Sequence, residues 1–148
     1  MRRLQLARSE EHMHAEVARA NAEAAAARRS AGWSRLIEDS VSVAEAADIT
    51  GTSVRQLMRL IRSGSALTAS VDGELVLPAW QLRQNGMRPI MEHVGELHAC
   101  FPGDLAGFHA WMTRPNPDLV GHSPAEALHS GDSEMVFALV RAIGAAGT

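Results

Sequence analysis

The sequence predicts a mainly α-helical protein: a long N-terminal helix, a middle unit of two short helices with a small β-hairpin, and a C-terminal small helical bundle. Three observations predict it. Residues 4–31 hold no Gly or Pro and are rich in Ala, Glu and Arg, the composition of one continuous helix. Residues 42–82 pass from a 3.6-residue apolar period to a 2-residue period around Asp72-Gly73, so helices give way to a hairpin. Residues 91–148 return to helical spacing, punctuated by Pro and Gly.

The first helix, with a boundary placed at residue 34, would be about 40 Å long. Its apolar stripe is thin: Leu6, Met13, Ala20 and Ala27 recur every seven residues, with Val17 and Ala24 as a second partial seam. That spacing fits a short Ala-rich coiled coil, hence a homodimer, and equally a helix packed on its own chain. Gly32 is expected to end it.

In the middle unit (residues 40–84), Ser42-Val43-Ala44-Glu45 and Ser53-Val54-Arg55-Gln56 each read as a capping box, so helices start at Val43 and Val54. Gly51 turns the chain between them and Gly64 stops the second. Ala46, Ala47 and Ile49 are expected inward on the first helix. Val54, Leu57, Met58, Leu60 and Ile61 are expected inward on the second, leaving Arg55, Arg59 and Arg62 outward. Leu67, Ala69 and Val71 then alternate, Asp72-Gly73 turns, and Leu75 and Leu77 lead to Pro78. Helix, Gly turn, helix and hairpin make the layout of a winged helix-turn-helix, although an αα-hairpin without DNA contact needs the same packing residues. The run resembles the MerR/excisionase-type winged helix-turn-helix. The resemblance rests on Val43-Ala44-Glu45-Ala46-Ala47, Gly51-Thr52-Ser53-Val54, Leu60-Ile61-Arg62-Ser63-Gly64 and the closing Leu77-Pro78-Ala79-Trp80-Gln81-Leu82. It implies a double-stranded DNA operator as partner, with Ser53, Arg55, Gln56, Arg59 and Arg62 as the DNA-binding residues. The wing departs from the pattern, since Ala69, Ser70, Asp72 and Glu74 bring no basic side chain.

Residues 83–90 read as a linker or tight loop, followed by a short helix with Met91, Val94, Leu97 and His98 inside. Asp104 is placed to cap a helix reaching Met112, with Leu105, Phe108 and Trp111 also inward. Arg114-Pro115-Asn116-Pro117-Asp118 cannot be helical, because two prolines remove donors and extend the residues before them. Ser123-Pro124-Ala125-Glu126 combines a capping box with Pro at the first helical position. Gly131 stops that helix. A last one carries Met135, Val136, Leu139, Val140 and Ile143 inward, Gly144 ends it, and Ala145 to Thr148 form a tail.

Trp111, Pro115, Asn116, Leu119, Gly121, Pro124, Leu128 and Gly131, followed by an apolar helix, resemble the Xre/MbcA/ParS-type toxin-binding domain of antitoxins over roughly 91–148. The resemblance implies a small helical domain that homodimerises and binds a protein toxin of the RES-domain, NAD-consuming class. Arg114, Asn116, Arg141, Ile143, Gly144 and Thr148 are then the partner-binding residues, the last helix and tail being the neutralising element. Taken singly, Trp111, Pro115 and Pro124 are a core aromatic and two turn formers. Relatives carry a phage-repressor-like helical domain in front, whereas this chain carries a winged helix.

Composition sets the remaining expectations. The 148 residues are 46% hydrophobic and 21% charged, with net charge −3. All basic side chains are Arg, which points to genome composition more than to function. Residues 1–62 are mildly basic and 63–148 acidic, weakly favouring a nucleic-acid contact in front and a protein contact behind. Cys100 is the one cysteine, so no internal disulfide forms and a cytoplasmic protein with a buried thiol is expected. No apolar run is long enough for a membrane span. The seven histidines lack metal spacing and are expected as isolated surface or interface residues. No phosphate loop or serine elbow occurs, so a non-enzyme without cofactor is expected. Two rival readings stand beside the antitoxin-like adaptor. One is a DNA-binding regulator or excisionase-like protein of a mobile element without a toxin partner. The other is a protein-interaction adaptor whose helix-turn-helix no longer touches DNA.

Overall fold

The computed structural model describes residues 2–85 and 87–146, with side chains from residue 9 onward. Seven α-helices and a three-stranded antiparallel sheet are found among them. The mainly helical architecture with a long N-terminal helix agrees with the sequence.

Helix α1 (Arg2–Glu38) runs unbroken through Gly32, past the predicted boundary. A mid-helix Gly costs about 1 kcal/mol against Ala. Packing beyond it more than compensates, since Leu36 is fully buried against Ala69 of the hairpin and Ala106 of a later helix. The outer part is different: every residue from 9 to 24 is exposed, including Met13 and Val17. The predicted seam therefore faces solvent where side chains are described. Leu6 lies outside the residues with described side chains.

Strand β1 (Ser40–Ser42) was not anticipated. It pairs antiparallel with β3 (Glu74–Pro78), which also pairs with β2 (Ala69–Val71), giving the order β1-β3-β2. Asp72 and Gly73 both have positive φ (51° and 83°), as a two-residue hairpin of this hand requires. Helices α2 (Val43–Thr50) and α3 (Val54–Arg62) begin where predicted, with Ser42 and Ser53 accepting from Glu45 N–H and Gln56 N–H, both at 3.1 Å. Only the serine half of each predicted box is found, and in the second the Gln56 side chain accepts from Arg59 instead (3.2 Å). Of the expected inner residues, Ala46, Ala47 and Leu57 are buried, while Ile49 and Val54 are exposed. Thr50 takes the place expected for Ile49, its hydroxyl donating to the Ala46 carbonyl at 2.7 Å.

The connection 83–90 is a closed loop. Arg83 N–H donates to Pro89 O and Met91 N–H to Gln81 O, and Leu82 bridges Ile90. Behind it, buried Gln81 pairs with the Leu67 backbone in both directions, at 2.9 and 2.8 Å, like a missing strand neighbour. Then come α4 (Val94–Cys100), α5 (Leu105–Thr113), α6 (Pro124–His129) and α7 (Ser133–Ala146). Their core joins Met91, Val94, Leu97, Phe108, Met112, Leu119, Leu128, Val136 and Val140, and it includes Leu67 from the loop before the hairpin. The middle unit thus packs on the C-terminal helices through Leu67. Gly95 shows how closely: a Cβ there would sit 2.2 Å from the Gly64 carbonyl oxygen.

Three further expectations are corrected. Helix α7 passes through Gly144 to Ala146, because a Gly inside an otherwise apolar final turn does not by itself end a helix. Cys100 is exposed rather than buried, standing on the outer side of α4. Met135 is 43% exposed and Leu139 and Ile143 are half-buried, so only Val136 and Val140 form the inner line of α7.

Candidate functional site: an arginine-bearing helix and a capped helical hairpin

Two outward surfaces hold the residues singled out in the sequence. The first is α3. Ser53 is its N-cap, and Arg55, Arg59 and Arg62 are all exposed, with Gln56 half-buried and bonded to Arg59. Val54, exposed beside Arg55, adds an apolar spot. Guanidinium groups on an exposed helix have the reach to contact phosphates and base edges. The hairpin beside it shows Asp72 and Glu74 to solvent, which offers no basic contact.

The second surface is built by the segment 113–146. Asn116 is the N-cap of a short 3-10 turn (Pro117–Leu119), its side chain accepting from Asp118 N–H at 2.9 Å. Its backbone N–H donates to His122 O and its carbonyl accepts from Leu119 and Gly121. Asn116 is therefore mostly committed to holding the loop. Val120 follows in a left-handed conformation (φ 57°) and is 91% exposed. A β-branched residue there is a genuine backbone outlier, and this one packs on nothing in return. Ser123 and Glu126 form the complete capping box, both bonds at 3.1 Å, with Pro124 at the first helical position. The Ser123 N–H and the neighbouring His122 hold the Glu126 carboxyl below its usual value.

On α7, periodicity sets two flanks around the buried Val136–Val140 line. Met135, Leu139 and Ile143 lie on one side. On the other, Phe137 carries the Arg141 guanidinium over its ring at 5.5 Å and meets His93 edge-on. The structure thus separates Arg141 from Ile143. Gly144 is half-buried between them, and Thr148 lies outside the described residues. Arg114, the C-cap of α5, lines a cleft with α1 instead of joining α7.

A buried polar clasp escaped the sequence reading. His109 on α5 is 1% exposed. The Trp80 indole N–H donates to its Nδ1 at 3.1 Å, so the proton sits on Nε2, which donates to the Asp39 carboxylate at 2.8 Å. His129 of α6 donates to the Trp80 carbonyl at 2.7 Å. One tryptophan thereby joins the end of the hairpin unit to α5 and α6. The expectation that the histidines are isolated surface or interface groups fails for His109, whose partners come from residues 29 and 70 positions away, beyond the reach of local spacing. Among the described residues no group of three or more His, Cys, Asp or Glu is arranged to hold a metal ion, and no helix is long and apolar enough to cross a membrane.

A comparison with curated proteins returned no match. Among solved structures, the one titled "NMR structure of Rv2175c" shares the fold at 18% identity, with a TM-score of 0.53 over 70% of this chain and 80% of that one. Residues 96–143, which span the α4–α7 unit from within α4 to near the end of α7, match the family model described as the antitoxin Xre/MbcA/ParS C-terminal toxin-binding domain.

Proposed function

We propose that this chain is an antitoxin-type adaptor, in which residues 91–148 hold a protein toxin and residues 40–84 hold an operator through α3, as a homodimer that regulates its own operon. The match of residues 96–143 to a toxin-binding domain carries the reading. The described surface supports it: the Met135, Leu139 and Ile143 flank and the strained, exposed Val120 both lie within that segment. A RES-type, NAD-consuming toxin is the class that the sequence resemblance implies. No catalytic role is assigned to the chain, and its place of action is the cytoplasm.

Co-expression with the product of the adjacent reading frame tests the partner half. A single co-eluting species on a sizing column is expected, and Leu139→Asp should dissolve it while the protein stays folded. Two separate peaks for the unmodified pair would sink this half. The DNA half is tested by gel shift on the upstream promoter. Arg55→Ala with Arg59→Ala should weaken binding by about 1–3 kcal/mol per lost base contact, and the wild-type affinity should fall steeply with salt.

The exposed arginine face of α3 also favours a second reading, a DNA-binding regulator with no toxin partner. Tight promoter binding by the isolated chain, with no complex formed in co-expression, selects it.

A further inference from the structure

Helices α1 and α5 run against each other and leave a cleft of about 560 Å³ between them. Its floor is made of small side chains, Ala25 and Gly32 from α1 with Ala106 and Ala110 from α5. Its rim is made of Arg28, Arg29, Arg35 and Arg114. None of the four arginines pairs with a carboxylate or a hydrogen-bond acceptor within the described structure. The one carboxylate in the lining, Asp104, already has an oxygen engaged by the Gly107 N–H at 2.8 Å as a helix cap.

We propose that this cleft binds a small phosphorylated molecule of the nucleoside-phosphate class. Four guanidinium groups gathered around the single Asp104 carboxylate leave an excess of positive charge, and a bound polyanion relieves the repulsion among them. The guanidinium fork matches phosphoryl oxygens in pairs, and no carboxylate among the described residues pairs with these four. The Ala and Gly floor offers a flat, weakly polar surface that accepts a ring without steric conflict, and the volume lies in the ordinary range for small-molecule sites. A concave, small-floored cleft suits a compact ligand better than the ridge of a duplex, and α3 contributes no residue to it. Helix α1 supplies its half of the lining from outside the matched segment 96–143 and α5 the other half from within it, while α7 and Val120 contribute nothing to the cleft.

Titration calorimetry on the full-length chain tests the proposal with ATP, inorganic pyrophosphate, adenosine and a duplex of arbitrary sequence. ATP should bind saturably and more tightly than pyrophosphate or adenosine. Removing one phosphate-binding guanidinium costs roughly tenfold in affinity, so Arg28→Ala with Arg114→Ala should weaken ATP by at least that factor. Arg28→Gln with Arg114→Gln repeats the test at closer side-chain size, with helicity checked by circular dichroism. Ala110→Met, which fills the floor, should weaken ATP and leave pyrophosphate unchanged. The proposal is overturned if ATP shows no saturable binding, if it binds no tighter than pyrophosphate, or if the folded arginine variants bind it as the wild type does. It is equally overturned if the arginine variants lose duplex binding that ATP does not compete, for the cleft would then be a DNA-backbone contact.

Discussion

The α2–α3 and α6–α7 pairs are built from the same local parts. Each starts on a serine cap, at Ser42, Ser53 or Ser123, and each turns on a glycine of positive φ, Gly51 or Gly131. What they show to solvent differs. Helix α3 presents Arg55, Arg59 and Arg62, whereas α7 presents the partly exposed Met135, Leu139 and Ile143. Backbone signals thus set where a helix begins and ends, and they leave the chemistry of the outward face free. The two pairs also differ in how tightly their starts are fastened. Ser123 and Glu126 complete a reciprocal box, while Gln56 is diverted to Arg59.

The sharpest way to break the comparison is where the end of α3 meets α4, the helix on which α7 packs. Gly95→Ala puts a Cβ 2.2 Å from the Gly64 backbone carbonyl, and backbone cannot yield as a flexible side chain does. A loss of about 2–3 kcal/mol in urea unfolding is expected. An unchanged midpoint would mean that the two units do not rely on this contact. Next in size, Val120→Gly removes a β-branched residue from the left-handed region and should stabilise the fold by roughly 1 kcal/mol. Toxin affinity should fall at the same time if Val120 is a contact. A stability gain with affinity intact would make Val120 a tolerated defect.

The caps come third. Ser123→Ala removes one arm of a complete box and leaves the Glu126 carboxylate with a weaker hold, so it should cost about 1 kcal/mol. Ser53→Ala, at a half-formed box, should cost less, and equal losses would erase the distinction drawn between the two helix starts.

The smallest effect is a pH slope. Burial lowers the His98 pKa from its usual 6.5, with the Asp104 charge opposing. The folded chain therefore binds fewer protons than the unfolded one in the window between the lowered value and 6.5, so stability rises with pH there and is lost as pH falls below 6.5. Glu126 acts lower on the scale. Its carboxyl is held below 4.5, chiefly by the Ser123 N–H, so its contribution is present above 4.5 and disappears as pH falls through the lowered value. The stability of His98→Asn should change less with pH than the wild type's just below pH 6.5, and the two profiles should run parallel above it.

Much of this was readable from spacing alone. Ser42, Ser53, Asp104 and Ser123 each cap within the helix they begin, so a four-residue window suffices to find them. The hairpin turn at Asp72-Gly73 is equally local. Strand β1 was missed because Ser40-Val41-Ser42 has only three residues, and only the presence of β3 makes it a strand. The burial of α7 was overestimated because periodicity identifies an apolar face without saying how much of it meets a partner. The Trp80–His109–Asp39 clasp and the α1–α5 cleft depend on tertiary approach between segments with no common sequence pattern. Of the residues singled out for partner contact, Asn116 is largely taken up by its own loop, and Arg114 faces α1, a helix whose course past Gly32 could not be read in advance.

The clasp has a practical consequence. Trp80 is one of three tryptophans, and its indole hydrogen is tied to an acceptor on a different helix. That hydrogen should exchange slowly with deuterated solvent for as long as α5 stays docked, and its resonance should shift when either neighbour moves. The molecule carries an internal reporter at the joint between the hairpin unit and helices α5 and α6. Following that single resonance while operator or toxin is added would show whether occupation of one surface is felt at the other.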